Sequence, residues 1–125
     1  MATRKNILIV DDDQEVIDLL KDYLEVNEFD TSSFTDGLEA LDYLKDAQPD
    51  LVITDLLLPG EHGINVVKTI KQKYFIPVIM MSSIYNEKEL KHVIEEYFVE
   101  GFFQKPFELN ALLRKINSIL DAKPV

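Results

Sequence analysis

Two short apolar runs, Ile7-Leu8-Ile9-Val10 and Leu51-Val52-Ile53-Thr54, each give way to acid: Asp11-Asp12-Asp13 after the first and Asp55 after the second. Aliphatic and β-branched residues without polar alternation read as strands buried on both faces, the pattern of a parallel sheet covered by helices. Ligands of open α/β sheets bind just beyond the carboxyl ends of such strands. Carboxylates that converge there raise one another's pKa unless a hard cation or a lysine offsets the charge. Mg²⁺ is the natural candidate, because it takes oxygen ligands in octahedral geometry.

The rest of the chain continues the alternation. Val16, Leu19, Leu20, Tyr23 and Leu24 fall at helical spacing and predict a helix over 14–26, with Asp12 or Asp13 placed to cap it. Capping accounts for one or two of the aspartates, not for all three together with Asp55. Phe29 to Phe34 reads as a second strand. Asp36-Gly37-Leu38-Glu39 resembles a capping box and opens a helix that ends near Ala47. Leu56-Leu57-Leu58-Pro59-Gly60 is a loop that Pro59 keeps from turning helical at once, and Ile64, Val67 and Ile70 stripe a third helix. Val78-Ile79-Met80-Met81 forms a fourth strand ending in Ser82-Ser83. Asn86 caps a helix striped by Leu90, Val93, Ile94 and Tyr97. Gly101-Phe102-Phe103-Gln104 is a brief fifth strand, followed by Lys105-Pro106 and a last helix carrying Leu109, Leu112, Leu113, Ile116 and Leu120. Five strands alternating with five helices predict an α/β fold, a parallel sheet with helices on both faces and right-handed crossovers.

Length and charge bound the function. The 125 residues, 46% hydrophobic, fit one compact domain spanning 1–125. The absence of cysteine excludes disulfides, thiolate metal sites and thiol nucleophiles, and agrees with a reducing compartment. His62 and His92 are too far apart in sequence for the clustered spacing of imidazole metal sites and are expected on the surface. A formal charge of -10 repels nucleic acid and anionic membranes, so neither is expected as a direct partner. Four apolar residues before the acidic triplet are too few for a signal peptide, and no stretch approaches membrane-spanning length, so a cytoplasmic protein is expected.

Asp11 to Asp13, Asp55, Ser82 and Lys105 follow four of the five strands and so share one edge of the sheet. Together they compose a phosphoryl-transfer site. Asp55 is the nucleophile whose carboxylate attacks phosphorus to give an acyl phosphate. Asp12 and Asp55 hold Mg²⁺, and Asp11 supports the ion through its waters. Lys105 and Ser82 receive the phosphoryl oxygens. In this order the set resembles the receiver domain of two-component response regulators, over nearly the whole chain. Asp11-Asp12 matches the family's acidic pair, Asp55 with Pro59 and Gly63 its phosphoacceptor and following loop, Ser82 its switch Ser/Thr, and Lys105-Pro106 its Lys-Pro.

The resemblance implies a flavodoxin-like strand order 2-1-3-4-5 and the Leu57 backbone carbonyl as a further Mg²⁺ ligand. It implies a histidine kinase or phosphotransfer protein as donor, and a phosphoacceptor that catalyses its own phosphorylation and slow dephosphorylation. It implies a switch in which Ser82 moves toward the phosphoryl group while Phe102 turns inward, repacking the face formed by helix 4, strand 5 and helix 5. An unknown downstream protein or a second copy of the chain meets that face. Lys88, Lys91, Glu100 and Arg114 are placed there as pairing charges of a homodimer, with solvated surface charge as the alternative.

Departures from the family pattern carry expectations of their own. Phe98-Val99 stands where a small Gly-Ala is common, so the entry into strand five is expected to be more crowded or differently turned. Leu57 and Ile84, two residues after Asp55 and Ser82, are apolar where the family tunes access of hydrolytic water, and a long-lived phosphoryl group is expected. Asp11-x-Asp13 also resembles the acid pair of haloacid-dehalogenase-type phosphatases, although Glu15 stands where that family has Thr or Val. A flavodoxin-like cofactor binder shares the topology, but three aspartates would repel a phosphate. A degenerate receiver acting only as a binding module is the remaining alternative. No output domain follows before Val125, so the chain either signals by protein contact alone or is a receiver cut from a longer regulator.

Overall fold

A computed structural model of the chain describes residues 4–58, 63–83 and 87–121. Five strands, β1 (Asn6–Val10), β2 (Asp30–Phe34), β3 (Leu51–Asp55), β4 (Val78–Ser82) and β5 (Gly101–Gln104), form one sheet. All neighbours pair in parallel, in the order β2-β1-β3-β4-β5. The helices between and after them are α1 (Gln14–Val26), α2 (Gly37–Tyr43), α3 (Gly63–Thr69), α4 (Glu87–Tyr97) and α5 (Leu109–Leu120). This is the flavodoxin-like doubly wound arrangement.

Period-two alternation along the strands divides the core. Ile7, Ile9, Leu51, Ile53, Ile79 and Met81 face α1 and α5, where Ile17, Leu20, Leu24, Leu112 and Ile116 meet them. Leu8, Val10, Val52, Val78 and Met80 face the opposite side, packed by Ala40, Val66, Val67 and Val93 of α2, α3 and α4 and by Ile70 just after α3. β3 is buried along its whole length. A central strand sealed on both faces is a rigid platform for whatever its last residue carries.

Local signals explain most boundaries. Asp13 caps α1, its Oδ1 accepting the Glu15 N–H at 2.9 Å. Asp36 caps α2 through the Leu38 and Glu39 N–H groups. The α2 helix ends at Tyr43 rather than near Ala47, because the chain tightens through turns in which Lys45 and Asp46 donate three residues back, to Asp42 and Tyr43. After α3 the chain continues as a π-helical turn, Ile70–Tyr74, that ends at Phe75 with φ 58°. Phe98, after α4, has φ 56°. The left-handed conformation costs a residue with a Cβ about 1–2 kcal/mol, so Phe98 holds at the entry into β5 a backbone conformation that glycine takes without strain.

Among the described residues no helix is long and apolar enough to cross a membrane. His92 is exposed on α4 and pairs with Glu96 at 2.7 Å. Pro59, Gly60 and His62, Ile84, Asn86 with its expected cap, and the tail beyond Asp121 lie outside the described residues.

Candidate functional site

The carboxyl edge of the sheet is held by backbone hydrogen bonds that run one residue past each strand. Asp11 N–H donates to Phe34 C=O, Leu56 N–H to Met81 C=O, and Lys105 N–H to Ser82 C=O, at 3.2, 3.1 and 2.9 Å. These bonds fix the main chain next to every polar side chain of the edge, which is the condition for a preorganised site.

Asp11 is fully buried and Asp55 nearly so. Asp11 Oδ1 accepts the Asp13 N–H at 2.9 Å, and its Oδ2 accepts from Lys105 Nζ at 2.6 Å. The same ammonium donates to Asp55 Oδ2 at 2.5 Å, while Asp55 Oδ1 accepts the Leu57 N–H at 2.8 Å. Both oxygens of both carboxylates are thus oriented. On the opposite face of β3, buried Thr54 donates its hydroxyl to the Asp55 carbonyl at 3.1 Å. Gly63, at the start of α3, is required by a close approach: a Cβ there would strike the Leu56 carbonyl, beside Asp55. The Lys105-Pro106 peptide is cis.

Burial raises the Asp11 pKa, and the hydrogen bond from Lys105 only partly offsets it. Burial opposes the charge of Lys105 as well, but its bonds to Asp11 and Asp55 outweigh burial, and its pKa is raised. Asp12 is exposed, and one oxygen each from Asp11, Asp12 and Asp55 lie within 4.8 Å of one another. Three carboxylates face one ammonium, leaving two negative charges when all are ionised, the charge a divalent cation offsets. An all-oxygen donor set suits a hard cation of the Mg²⁺ type.

The structure therefore brings Asp11, Asp12, Asp55 and Lys105 together at one edge. Ser82 is buried at the end of β4, one residue beyond the Asp55–Met81 register pair. Leu57 lies beside Asp55 and is 47% exposed. Phe102 is half-buried on the α2–α3–α4 face, packed against the core rather than at the carboxylates. Asp13 is an exposed cap. Three contacts were not foreseen: the Lys105 bond to Asp11, the Leu57 N–H on Asp55, and the Thr54 hydroxyl. The second had a signal, since Asp side chains commonly accept the N–H two residues on.

A 2-1-3-4-5 parallel sheet with an acidic cluster and a lysine at its carboxyl edge defines a doubly wound signalling domain of the phosphorylation-switch type. Residues 7–117 match the family model of the response regulator receiver domain, and the chain belongs to that family. It is similar to the heme response regulator HssR of Staphylococcus epidermidis, 34% identical over 118 residues that cover 92% of this chain and 51% of that protein. The chain thus spans about half the length of the curated relatives it matches. Among solved structures, a CheY-like response regulator receiver domain protein from Methanospirillum hungatei JF-1 is 27% identical with a TM-score of 0.88, covering 95% of each chain. The chemotaxis response regulator CheY4 of Vibrio cholerae is 25% identical with a TM-score of 0.84, covering 94% of this chain and all of that one. Receiver domains act generally as phosphorylation switches and exchange phosphoryl groups with histidine kinases or phosphotransfer proteins.

Proposed function

We propose that residues 1–125 act as one receiver domain in which Asp55 accepts a phosphoryl group from the phosphohistidine of a histidine kinase or phosphotransfer protein. The observation that carries this reading is the single ammonium of Lys105 bonded to both Asp11 and Asp55 at the sheet edge. Asp12, Asp55 and the Leu57 carbonyl would hold Mg²⁺, with Asp11 supporting it through water. Bound there, Mg²⁺ would neutralise charge that otherwise repels the incoming phosphoryl group.

The chain's own residues do the rest. An Asp55 oxygen attacks phosphorus, the P–N bond to the donor imidazole breaks, and the bonding pair leaves with the imidazole nitrogen. The Leu57 N–H holds the attacking carboxylate in plane. A lysine ammonium has three N–H donors. Two of those on Lys105 go to carboxylates, and the third serves a phosphoryl oxygen.

Ser82 then moves toward the phosphoryl group, and Phe102 turns inward beside Leu90 and Ile94, with which it lines a surface depression on the α4–β5 side. Such a switch is a two-state equilibrium biased by new charge-assisted bonds. A homodimer through α4, β5 and α5 relies on Lys88, Lys91 and Arg114. Glu100 is already committed within the chain, to Lys71 Nζ at 2.7 Å and to the Val78 N–H at 2.9 Å. The Asp13 carboxylate, the second acid of the phosphatase reading, caps α1 through its Oδ1.

Intact mass after incubation with acetyl phosphate tests the reading. One phosphoryl adduct that needs both Mg²⁺ and Asp55 supports it. An adduct of equal yield in Asp55→Asn, or continuous phosphate release dependent on Asp11, refutes it.

A further inference from the structure

Two Tyr-Phe pairs end neighbouring helical segments: Tyr74-Phe75 closes the π-helical turn after α3, and Tyr97-Phe98 closes α4. In each pair the tyrosine packs against the same core cluster on the same face of the sheet. The phenylalanine that follows is 79% exposed and has positive φ, 58° at Phe75 and 56° at Phe98. Glycine or asparagine ordinarily ends a helix in this conformation, because a Cβ is disfavoured there. Twice the chain places a bulky ring where glycine would fit with less strain, and twice the ring stands in solvent. The strands that follow, β4 and β5, are parallel neighbours, so both rings lie at one end of the sheet, opposite Asp55.

The charges beside the two pairs have opposite sign. Lys71 and Lys73 precede Tyr74-Phe75, whereas Glu95 and Glu96 precede Tyr97-Phe98 with no base in that last turn. Lys71 is engaged with Glu100 and Glu96 with His92. Lys73 is exposed with its ammonium 5.5 Å from the centroid of the Tyr74 ring, and Glu95 is exposed on the last turn of α4, three residues before Phe98. Like aromatics flanked by unlike charges are self-complementary under a two-fold axis: Phe75 of one copy meets Phe98 of the other and Lys73 meets Glu95, twice over. Elsewhere the net charge of -10 makes copies repel, which leaves the lysine-bearing turn as a favoured point of contact.

We propose that this end of the domain is a homodimer interface, with a second copy of the chain as its occupant and with association independent of phosphorylation. The patch is small, so the dimer is weak. Sedimentation equilibrium on the whole chain should give a Kd between about 10 and 500 µM. Phe75→Gly and Phe98→Gly relieve a positive φ, so each keeps or raises the melting temperature while raising the dimer Kd roughly 30-fold or more. Lys73→Glu and Glu95→Lys should each weaken the dimer about fivefold, and their combination should return it to near the wild-type Kd. With acetyl phosphate and Mg²⁺ present, Asp55→Asn should dimerise as the wild type does, which separates this interface from a phosphorylation-dependent one at the α4–β5–α5 face. A wild type still monomeric at about 1 mM, or a dimer indifferent to both glycine variants and to the charge exchange, overturns the proposal.

Discussion

The Lys105 ammonium lies between Asp11 Oδ2 and Asp55 Oδ2, at 2.6 and 2.5 Å, and so joins the ends of β1, β3 and β5 through one side chain. Asp11 is fully buried, and among the described residues its ion pair is with Lys105. The lysine is therefore a structural counter-ion, and in the proposed function it is also the cation that meets an incoming phosphoryl group.

Removing it separates those roles. Lys105→Met should cost about 1–3 kcal/mol in EDTA, since burial of Asp11 is left uncompensated, and that loss should shrink when Mg²⁺ is added. Mg²⁺ affinity should rise, because a competing cation is gone, while phosphorylation by acetyl phosphate slows by about 100-fold or more. Chemical denaturation with and without Mg²⁺, run beside the phosphorylation kinetics, checks all three.

Asp11 gives stability a pH signature. Its pKa is raised in the fold, chiefly by burial. Between the ordinary aspartate value and the raised one the folded state holds the extra proton, so this group's contribution to stability falls as pH rises through that window. Lys105 acts in the alkaline range. Its raised pKa contributes stability that is complete below the ordinary lysine value and is lost as pH climbs through the folded value. In EDTA, the stability of wild type minus that of Asp11→Asn should decline with pH above the ordinary aspartate range. A flat difference contradicts the burial argument.

How far the fold was legible depends on how local its causes are. The α1 limits of Gln14 and Val26 follow from an apolar stripe and a capping aspartate within a few residues, and both are visible in sequence. The end of α2 was misjudged because nothing between Tyr43 and Ala47 forbids helix, and the tightened turn that stops it depends on where β3 must begin. The acidic residues at the strand ends announced a site. The Lys105–Asp11 bond spans 94 positions, and no spacing rule reaches that far. The π-helical turn and the positive φ of Phe75 likewise had no signal in the local sequence.

The proposed acyl phosphate on Asp55 gives Leu57 a role in its lifetime. Leu57 is 47% exposed beside Asp55, and its side chain offers a hydrolytic water nothing to bond to. Leu57→Asn supplies a donor and an acceptor there. If the amide lowers the hydrolytic barrier by about 1 kcal/mol, the phosphoryl group is lost roughly fivefold faster. Decay of the adduct followed by intact mass measures this, and an unchanged rate removes the role assigned to Leu57.

Asp13 is the control among the acidic triplet. Its carboxylate caps α1 and takes no part in the cluster of Asp11, Asp12 and Asp55. Asp13→Ala should cost about 1 kcal/mol of stability and leave Mg²⁺ affinity within a factor of about two. Asp12→Ala should do the reverse, weakening Mg²⁺ binding without a matching loss of stability. Paired denaturation and Mg²⁺ titration distinguish the two aspartates.

The most direct measurement locates the phosphoryl group itself. Borohydride reduces an aspartyl phosphate to homoserine, so the protein is treated with acetyl phosphate and Mg²⁺, reduced, digested and sequenced by tandem mass spectrometry. Conversion at position 55 alone is the predicted result. Conversion at Asp11 or Asp12, or a stable phosphate on Ser82, would contradict the assignment of Asp55 as the phosphoacceptor.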